Sequence, residues 1–281
     1  SSRSVTGNDK KFSELEKKIS KHKSQESTLV YPTGYMANLG AITAIVEKQN
    51  TIFSDELNHA SIIEACRLSS AKVKIFKHND MDDLESKIKK TNGKKFIVSE
   101  GVFSMDGDLA KIKEITEISS KYDGITILDD AHGDFVFGKD GKGTASQFGV
   151  GRKIDLYISS LSKGLGSFGG YVSSQKNVIE LCINRSKSFI YTSALPSAII
   201  EFTLKRFNSN REKNRKKLWE NIKLLHSGLE EIGYETSSVS QIIPIIIGDE
   251  RTTMKFGKYL FKNGIFAQPI RYPTVKKNSA R

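Results

Sequence analysis

The chain has 281 residues and a formal net charge of +12, with 37% hydrophobic and 27% charged residues. This length allows one large domain or two, and the composition is typical of a soluble globular protein. Apolar runs such as 242–247 are far too short to span a bilayer, so no membrane segment is predicted. The start lacks a signal peptide, and Cys66 and Cys182 form no paired motif. We therefore expect a cytoplasmic protein without disulfides or a metal site.

The excess of basic residues would suit nucleic acid, an anionic membrane or a polyanionic metabolite. The lysines are spread along predicted helices at 10–23, 87–95 and 211–217, without interleaved aromatic residues for base stacking. We interpret them as solvated helix faces, and predict binding to neither nucleic acid nor membrane. The charge would still help to attract a phosphate-rich substrate.

Strand-like apolar runs alternate with segments of helical periodicity from the start of the chain. The predicted strands are 27–31, 51–53, 73–76, 95–98, 125–128 and 154–159. The predicted helices are 12–19, 36–47, 61–66, 80–90 and 109–118. This alternation predicts an α/β fold in which a mainly parallel sheet is sandwiched by helices.

The pattern changes near residue 210, where a basic run precedes a long helix. The apolar residues that mark this helix are Leu218, Ile222, Leu225, Leu229 and Ile232. A buried strand at 242–247, a helix at 252–263 and a strand at 265–267 are predicted to follow. We therefore predict a large domain over 1–210 and a smaller C-terminal α/β domain over 211–281.

Several polar or glycine residues come directly after predicted strands. They are Gly34, His59, Ser104, Asp129, His132 and Lys163. In parallel α/β sheets the functional site lies beyond the carboxyl ends of the strands. We therefore expect these residues to gather along one edge of the sheet, and this shared position is stronger evidence than any single motif.

Lys163 follows the strand predicted at 154–159 and precedes a loop with four glycines. With little room around it at a sheet edge, a lysine is suited to lose its proton and bond to a carbonyl, because desolvation lowers its pKa. On this stretch alone, a surface turn is an equally good interpretation.

Asp129 ends an apolar strand, where a carboxylate is unfavourable unless it holds a positive partner. A protonated pyridine nitrogen would be such a partner, and an aspartate–pyridinium pair with a lysine Schiff base is typical of pyridoxal phosphate enzymes. The alternative is an aspartate that caps a backbone turn. His132 would contact the phenolic oxygen of the cofactor or be a structural histidine. Gly34 opens a helix after a strand, which exposes backbone amides to an anion.

Four motifs together resemble the α-oxoamine synthases, a family of fold-type I pyridoxal phosphate enzymes. They are Asn-His-Ala-Ser at 58–61, Glu-Gly-Val-Phe-Ser-Met-Asp-Gly at 100–107, Asp-Asp-Ala-His-Gly at 129–133, and the glycine-rich stretch 160–170. The resemblance covers nearly the whole chain in the order of the family. It implies an aspartate aminotransferase-like fold and an enzyme that condenses an amino acid with an acyl thioester and releases carbon dioxide.

The resemblance also implies a role for each candidate residue. Lys163 would form the Schiff base and move the Cα proton, Asp129 would hold the pyridine nitrogen, and His59 would stack on the ring near the substrate. The other implied cofactor contacts are Gly34, Tyr35, Ser104, His132, Ser160 and Ser193. In the family, the counterpart of Ser193 reaches the phosphate across a dimer interface, which implies a homodimer with the site at its interface.

Within the family, the segment 270–275 is most similar to the branch that joins L-alanine to a pimeloyl thioester in biotin synthesis. There the counterpart of Thr274 contacts the substrate, whose acyl chain is carried on coenzyme A or acyl carrier protein. Branches that use glycine with an acetyl group or serine with a palmitoyl group stay open as alternatives. So does a non-catalytic subunit of a heterodimer, although retention of Lys163 disfavours it.

Three features depart from the family pattern. Phe12 stands where relatives often carry histidine. Asp134 and Phe135 replace small residues, which would reshape the acyl channel. The arginine expected to bind the carboxylate of the amino acid lies beyond Arg281 in relatives, and segments of the family at both ends lie outside this chain.

Overall fold

The computed structural model describes residues 1–234 and 236–281. The chain divides into two compact units. The first contains residues 1–103 and 109–217, and the second contains 104–108 and 218–281. We predicted the domain boundary near residue 210, and the first unit ends at Lys217.

The first unit is built on one sheet. Its strands are β1 (Ser27–Tyr31), β2 (Thr51–Asp55), β3 (Lys72–Phe76), β4 (Lys95–Glu100), β5 (Gly124–Asp129), β6 (Leu156–Ser160) and β7 (Gly170–Ser174). Their order across the sheet is β1-β7-β6-β5-β4-β2-β3. Strands β6, β5, β4, β2 and β3 run parallel, whereas β7 is antiparallel to both of its neighbours. The predicted α/β fold with a mainly parallel sheet is confirmed.

Helices precede, connect and follow the strands of the first unit. They are α1 (Lys10–Lys23), α2 (Gly34–Ile45), α3 (Ala60–Leu68), α4 (Met81–Lys89), α5 (Ile112–Lys121), α6 (Thr144–Gln147), α7 (Lys176–Arg185), α8 (Lys187–Ile190) and α9 (Ser197–Asn208). Thr33 caps α2, since its side chain accepts a hydrogen bond from the Met36 amide. The site described below begins at this end of α2.

Alternate residues of each central strand point to opposite faces of the sheet. In β4, Phe96 and Val98 pack in one buried cluster with α2 and α3, whereas Ile97 packs in another with α4 and α5. Both faces are therefore covered by helices. This explains why the strands read as continuous apolar runs and not as alternating patterns.

The second unit contains the later part of α10 (Arg211–Glu231) and α11 (Glu250–Lys262). The strands predicted at 242–247 and 265–267 are wrong, because neither segment joins a strand ladder. Pro244 removes a backbone donor from the first of these runs, and Ile246 is 61% exposed. The segment 242–247 instead lines an apolar cleft of about 350 Å³ beside α11.

Arg281 binds the segment 104–108 within the second unit. The Arg281 Nη1 donates to Met105 O at 2.9 Å and pairs with Asp106 Oδ1 at 2.5 Å. Across both units, none of the helices in the described residues has the length and apolar character that crossing a bilayer requires.

Candidate active site

Asp129 is the last residue of β5, at the carboxyl edge of the sheet. Its register partners are Glu100 on β4 and Ile158 on β6, which place it in the centre of the sheet. The side chain is 6% exposed. Its Oδ1 accepts a hydrogen bond from the Ala131 amide at 3.0 Å, and its Oδ2 accepts one from Asn38 Nδ2 at 2.6 Å. Both donors are neutral, so they fix the orientation of the carboxylate without cancelling its charge.

His59 lies at the N-terminus of α3, beyond the end of β2. Its Nδ1 is 2.8 Å from Ser61 Oγ and accepts from the Ser61 amide at 3.2 Å, which holds the ring in one orientation. The ring is exposed at the edge of the site. The protein around it still limits its hydration enough to lower its pKa, while Asp129 opposes this shift and Lys163 adds to it. His59 is therefore neutral at pH 7, with Asp129 and Lys163 both within its electrostatic reach.

His132 lies three residues after Asp129, the last residue of β5. Burial lowers the pKa of His132 to about 3, and the neighbouring Lys163 and His59 contribute in the same direction. The imidazole is therefore neutral over the physiological range and acts as a hydrogen-bonding group. These electrostatic effects place His59 and Lys163 near His132.

Lys163 follows β6 in a tight turn, in which the Gly166 amide donates to Lys163 O at 2.9 Å. Our expectation that the sheet edge leaves little room around this lysine is wrong, because its side chain is exposed. Gly164 next to it packs closely on the main chain: a Cβ built there would lie 2.5 Å from Asp134 O. The turn is thus fixed at its backbone, whereas the amine is accessible.

The opposite end of the site is formed by the N-terminus of α2. The first amides of a helix have no carbonyl partner within it, and the helix dipole favours an anion there. Gly34 lies against Ser160 at the end of β6, with 3.2 Å between a built Cβ and Ser160 Cβ. The Ser160 hydroxyl is 2.8 Å from Ser162 Oγ. These amides and hydroxyls together form a donor set suited to a phosphate group.

Glu100 ends β4 beside Asp129 and is 3% exposed. Its Oε1 is buried without a hydrogen-bond partner among the described residues, as is Asn38 Oδ1. Burial raises the pKa of Glu100 well above its usual range, and the neighbouring charge of Asp129 adds to this. Two unsatisfied polar atoms in one buried region indicate that a further polar group belongs in this site.

The other candidate residues are placed as follows. Tyr35 is the second residue of α2 and is 47% exposed. Ser193 lies in an exposed segment between α8 and α9. Ser104 and Thr274 belong to the second unit, so their roles in a site on the first unit stay predictions.

Sequence reasoning missed Asn38 and Asn58. Asn38 Nδ2 donates to Ser61 Oγ at 2.9 Å as well as to Asp129, and Asn58 Nδ2 donates to Val98 O at 2.8 Å while its Oδ1 accepts from the Glu100 amide at 3.1 Å. Asn38 had a detectable signal, since it is a lone amide within an apolar helix. Asn58 was noted only as part of a motif, and nothing in its spacing indicated that it joins β2 to β4.

The comparisons with known proteins agree with this geometry. A family model described as Aminotransferase class I and II matches residues 1–281. The 8-amino-7-oxononanoate synthase of Thermoanaerobacter pseudethanolicus is 44% identical over 99% of this chain and 72% of its own length. The structure of a serine palmitoyltransferase from S. paucimobilis, with a bound PLP–myriocin aldimine, has a TM-score of 0.94 and 26% identity, over 99% of this chain and 72% of its own. The 8-amino-7-oxononanoate synthase of Francisella tularensis has a TM-score of 0.84 and 28% identity, over 98% of this chain and 80% of its own.

Proposed function

Because this chain belongs to the aminotransferase class I and II family, and within it to the α-oxoamine synthases, we propose that it condenses L-alanine with a pimeloyl thioester. The products would be 8-amino-7-oxononanoate, carbon dioxide and the free carrier, which is a step of biotin biosynthesis. The observation that carries this proposal is Asp129, a buried carboxylate held by neutral donors and facing the same space as His59 and Lys163.

The residues present fit pyridoxal phosphate. Asp129 offers an uncompensated negative charge for the ring nitrogen, and the N-terminus of α2 offers amides for the phosphate. Gly170 keeps that terminus open, because a Cβ built on it would lie 2.5 Å from Gly34 N. The unsatisfied Glu100 Oε1 and Asn38 Oδ1 are further polar atoms without a partner in the described chain.

When bound, pyridoxal phosphate supplies an electron sink that stabilises negative charge on the Cα of an amino acid. Asp129 would keep the ring nitrogen protonated, and Asn38 keeps the carboxylate oriented for this. Neutral His59 offers a flat surface to one ring face, and neutral His132 offers a hydrogen bond. Lys163 Nζ is the base that takes the proton from the substrate Cα and later returns one.

The phosphate would be held by the amides of Gly34 and Tyr35 and the hydroxyl of Ser160, while Ser104 would contact the oxygen side of the cofactor. Ser193 of a second copy completes this set in our proposal. The exposure of Tyr191, 81%, and of Ser193 in the same segment supports a homodimer with the site at its interface. We place this homodimer in the cytoplasm, a reducing compartment in which free cysteines such as Cys66 and Cys182 persist.

The amino acid and the acyl thioester are the substrates, carried on coenzyme A or acyl carrier protein. Thr274 is the residue that we assign to the acyl substrate, together with His59. Because the serine palmitoyltransferase structure is also closely similar, a longer acyl chain with serine is the second candidate.

A spectral titration tests the cofactor and the amino acid together. The purified chain should acquire a visible absorbance band with pyridoxal phosphate, and L-alanine should perturb this band at a lower concentration than glycine or serine. Lys163→Ala should bind the cofactor without covalent attachment, as shown by borohydride reduction and mass spectrometry. A chain that takes up no cofactor would support a non-catalytic subunit instead.

Steady-state assays then identify the reaction. Alanine with pimeloyl-CoA should give a higher kcat/KM than glycine with acetyl-CoA or serine with palmitoyl-CoA. Pimeloyl-acyl carrier protein, tested beside pimeloyl-CoA, identifies the carrier. A preference for either alternative pair would reassign the chain within the family.

A further inference from the structure

Lys23, the last residue of α1, is a buried cation. Its side chain is 1% exposed, although we interpreted the lysines of 10–23 as a solvated face. The Nζ donates to Lys142 O at 2.8 Å and lies 4.4 Å from the centroid of the Tyr157 ring. It also lies 3.3 Å from Asp134 Oδ1 and 3.5 Å from Asp130 Oδ2. An ammonium group is retained in such a place only when charges and carbonyls replace its hydration.

Asp134 is the main anionic partner of this lysine. Its Oδ2 accepts hydrogen bonds from the Tyr171 hydroxyl and, at 3.2 Å, from Ser159 Oγ, while His22 Nε2 lies 3.5 Å from its Oδ1. Burial alone would raise the pKa of Asp134, but Lys23, His22 and Tyr171 outweigh burial and lower it. The carboxylate is therefore ionised and held from several elements at once.

Asp130 pairs with the same lysine, and its hydrogen bonds hold the loop that carries His132. Its carboxylate accepts hydrogen bonds from the Thr144 amide at 3.0 Å and the Thr144 hydroxyl at 2.7 Å. Its carbonyl accepts from the amides of Gly133 at 3.0 Å and Asp134 at 2.7 Å. His132 therefore stands between two aspartates that are both held by Lys23.

The same loop supports the turn of Lys163. Gly164 packs against it so closely that a Cβ built there would lie 2.5 Å from Asp134 O and 3.1 Å from Phe135 Cβ. Phe135 in turn stacks on His22, with ring centroids 5.1 Å apart and planes at 6°. The end of α1, the loop 130–135 and the turn after β6 thus form one contiguous packed group.

We propose that Lys23 and Asp134 are positioning residues for this site: their buried ion pair fixes the loop 130–135 and, through it, His132 and the turn of Lys163. Neither side chain is assigned a contact with cofactor or substrate. The inference rests on the proposed function, since the positioned residues are those that hold the cofactor. It also assigns a role to Asp134, one of the departures from the family pattern.

The decisive variant is Lys23→Met/Asp134→Asn, which removes one charge of each sign and leaves the net charge of the buried group unchanged. Asp130 loses its cation in this variant but keeps its hydrogen bonds from Thr144. Removing only one partner of the Lys23–Asp134 pair would change the net charge of the buried group and confuse positioning with unfolding. The matched control is Lys21→Met/Asp140→Asn, the same changes at exposed residues of the same helix end and the same connecting segment. A milder variant, Tyr171→Phe, removes only the hydroxyl that donates to Asp134.

Four quantities are measured for each protein: the Tm without cofactor, the dissociation constant for pyridoxal phosphate, and the wavelength and the pH midpoint of the visible band. Displacing a catalytic group by about 1 Å costs up to roughly 100-fold in function. We expect the double variant to stay folded with a lower Tm, because Asp130 loses its cation, and to bind the cofactor about 10- to 100-fold more weakly, with a shifted band. Tyr171→Phe should show the same changes to a smaller extent, and the control should show none.

The proposal is overturned if Tyr171→Phe and the folded double variant keep the wild-type dissociation constant and band. If the double variant fails to fold, Tyr171→Phe decides the matter by the same two readouts. A wild-type chain that binds no pyridoxal phosphate would instead refute the proposed function, so the two failures are distinguishable.

Discussion

Gly170, the first residue of β7, determines how closely the strand approaches the N-terminus of α2. In Gly170→Ala, the new Cβ would lie 2.5 Å from Gly34 N, and 2.6 Å from both Gly34 Cα and Thr33 C. Carbon contacts are favourable near 3.5–4.0 Å, so the helix terminus must retreat by roughly 1 Å. Overpacking of this kind costs about 1–3 kcal/mol of stability. For a chain of this size, each kcal/mol lowers Tm by about 2–4 °C.

The same retreat weakens the phosphate end of the site. A displacement of roughly 1 Å takes the Gly34 amide out of the range of a hydrogen bond to the phosphate. Loss of a hydrogen bond to a charged group costs about 1.5–3 kcal/mol. The dissociation constant for pyridoxal phosphate should therefore rise by roughly 10- to 150-fold.

Comparison with pyridoxal, which lacks the phosphate, separates this effect from a general distortion. Both ligands are titrated against wild type and Gly170→Ala, and only the phosphorylated one should lose affinity. Gly228→Ala is the control, because nothing lies within 4 Å of a Cβ there and its helical backbone accepts alanine. An equal loss of affinity for both ligands would refute the assignment of the α2 terminus to the phosphate.

Two further changes probe the other end of the site. Asn38→Leu removes the buried donor to Asp129 Oδ2 and should lower the free energy of unfolding by about 1–3 kcal/mol, measured by urea denaturation without cofactor. If the free energy of unfolding is the same as that of the wild type within experimental error, the 2.6 Å hydrogen bond from Asn38 does not hold the carboxylate. His132→Gln tests the depressed pKa of His132, which is about 3 in the fold. An unfolded histidine binds a proton below about pH 6.5, so this depression makes wild-type stability fall on acidification from that pH. Between pH 6.5 and 5, the free energy of unfolding of the wild type should fall by up to about 1.4 kcal/mol per pH unit more than that of His132→Gln. Equal pH dependence in the two proteins would contradict the lowered pKa of His132.

The edge of the sheet was predictable because its strands are buried on both faces and read as apolar runs. The ends of these runs located Asp129 and His59, and the parallel alternation implied that they meet. Strand β7 was missed, because it begins with a glycine and contains two serines. The strand expected at 242–247 was wrong, because an apolar run forms a strand only where a neighbour pairs with it.

The buried ion pair was not predictable from local pattern. The lysines of α1 look alike in sequence. Only the fold shows that Lys23 is buried against the loop after β5, whereas Lys21 is exposed. Burial of a charge depends on a partner far along the chain, here Asp134. The exposure of Lys163 has a similar cause, since it depends on how Gly164 and its neighbours direct the turn.

Asp129, Asp130 and Asp134 follow one another closely, and their charges would repel if all were left unpaired. The fold treats them differently. Lys23 pairs with Asp130 and Asp134, and their remaining lone pairs are taken by hydroxyls and amides. Asp129 receives only a side-chain amide and a backbone amide, and forms no ion pair within the part of the chain that the structure describes. A buried carboxylate with neutral donors is stabilised by a cationic ligand more than any paired one is. Because Lys23 already pairs with the other two aspartates, the charge of Asp129 is available to a cationic group from outside the chain. In pyridoxal phosphate enzymes this group is the protonated ring nitrogen of the cofactor.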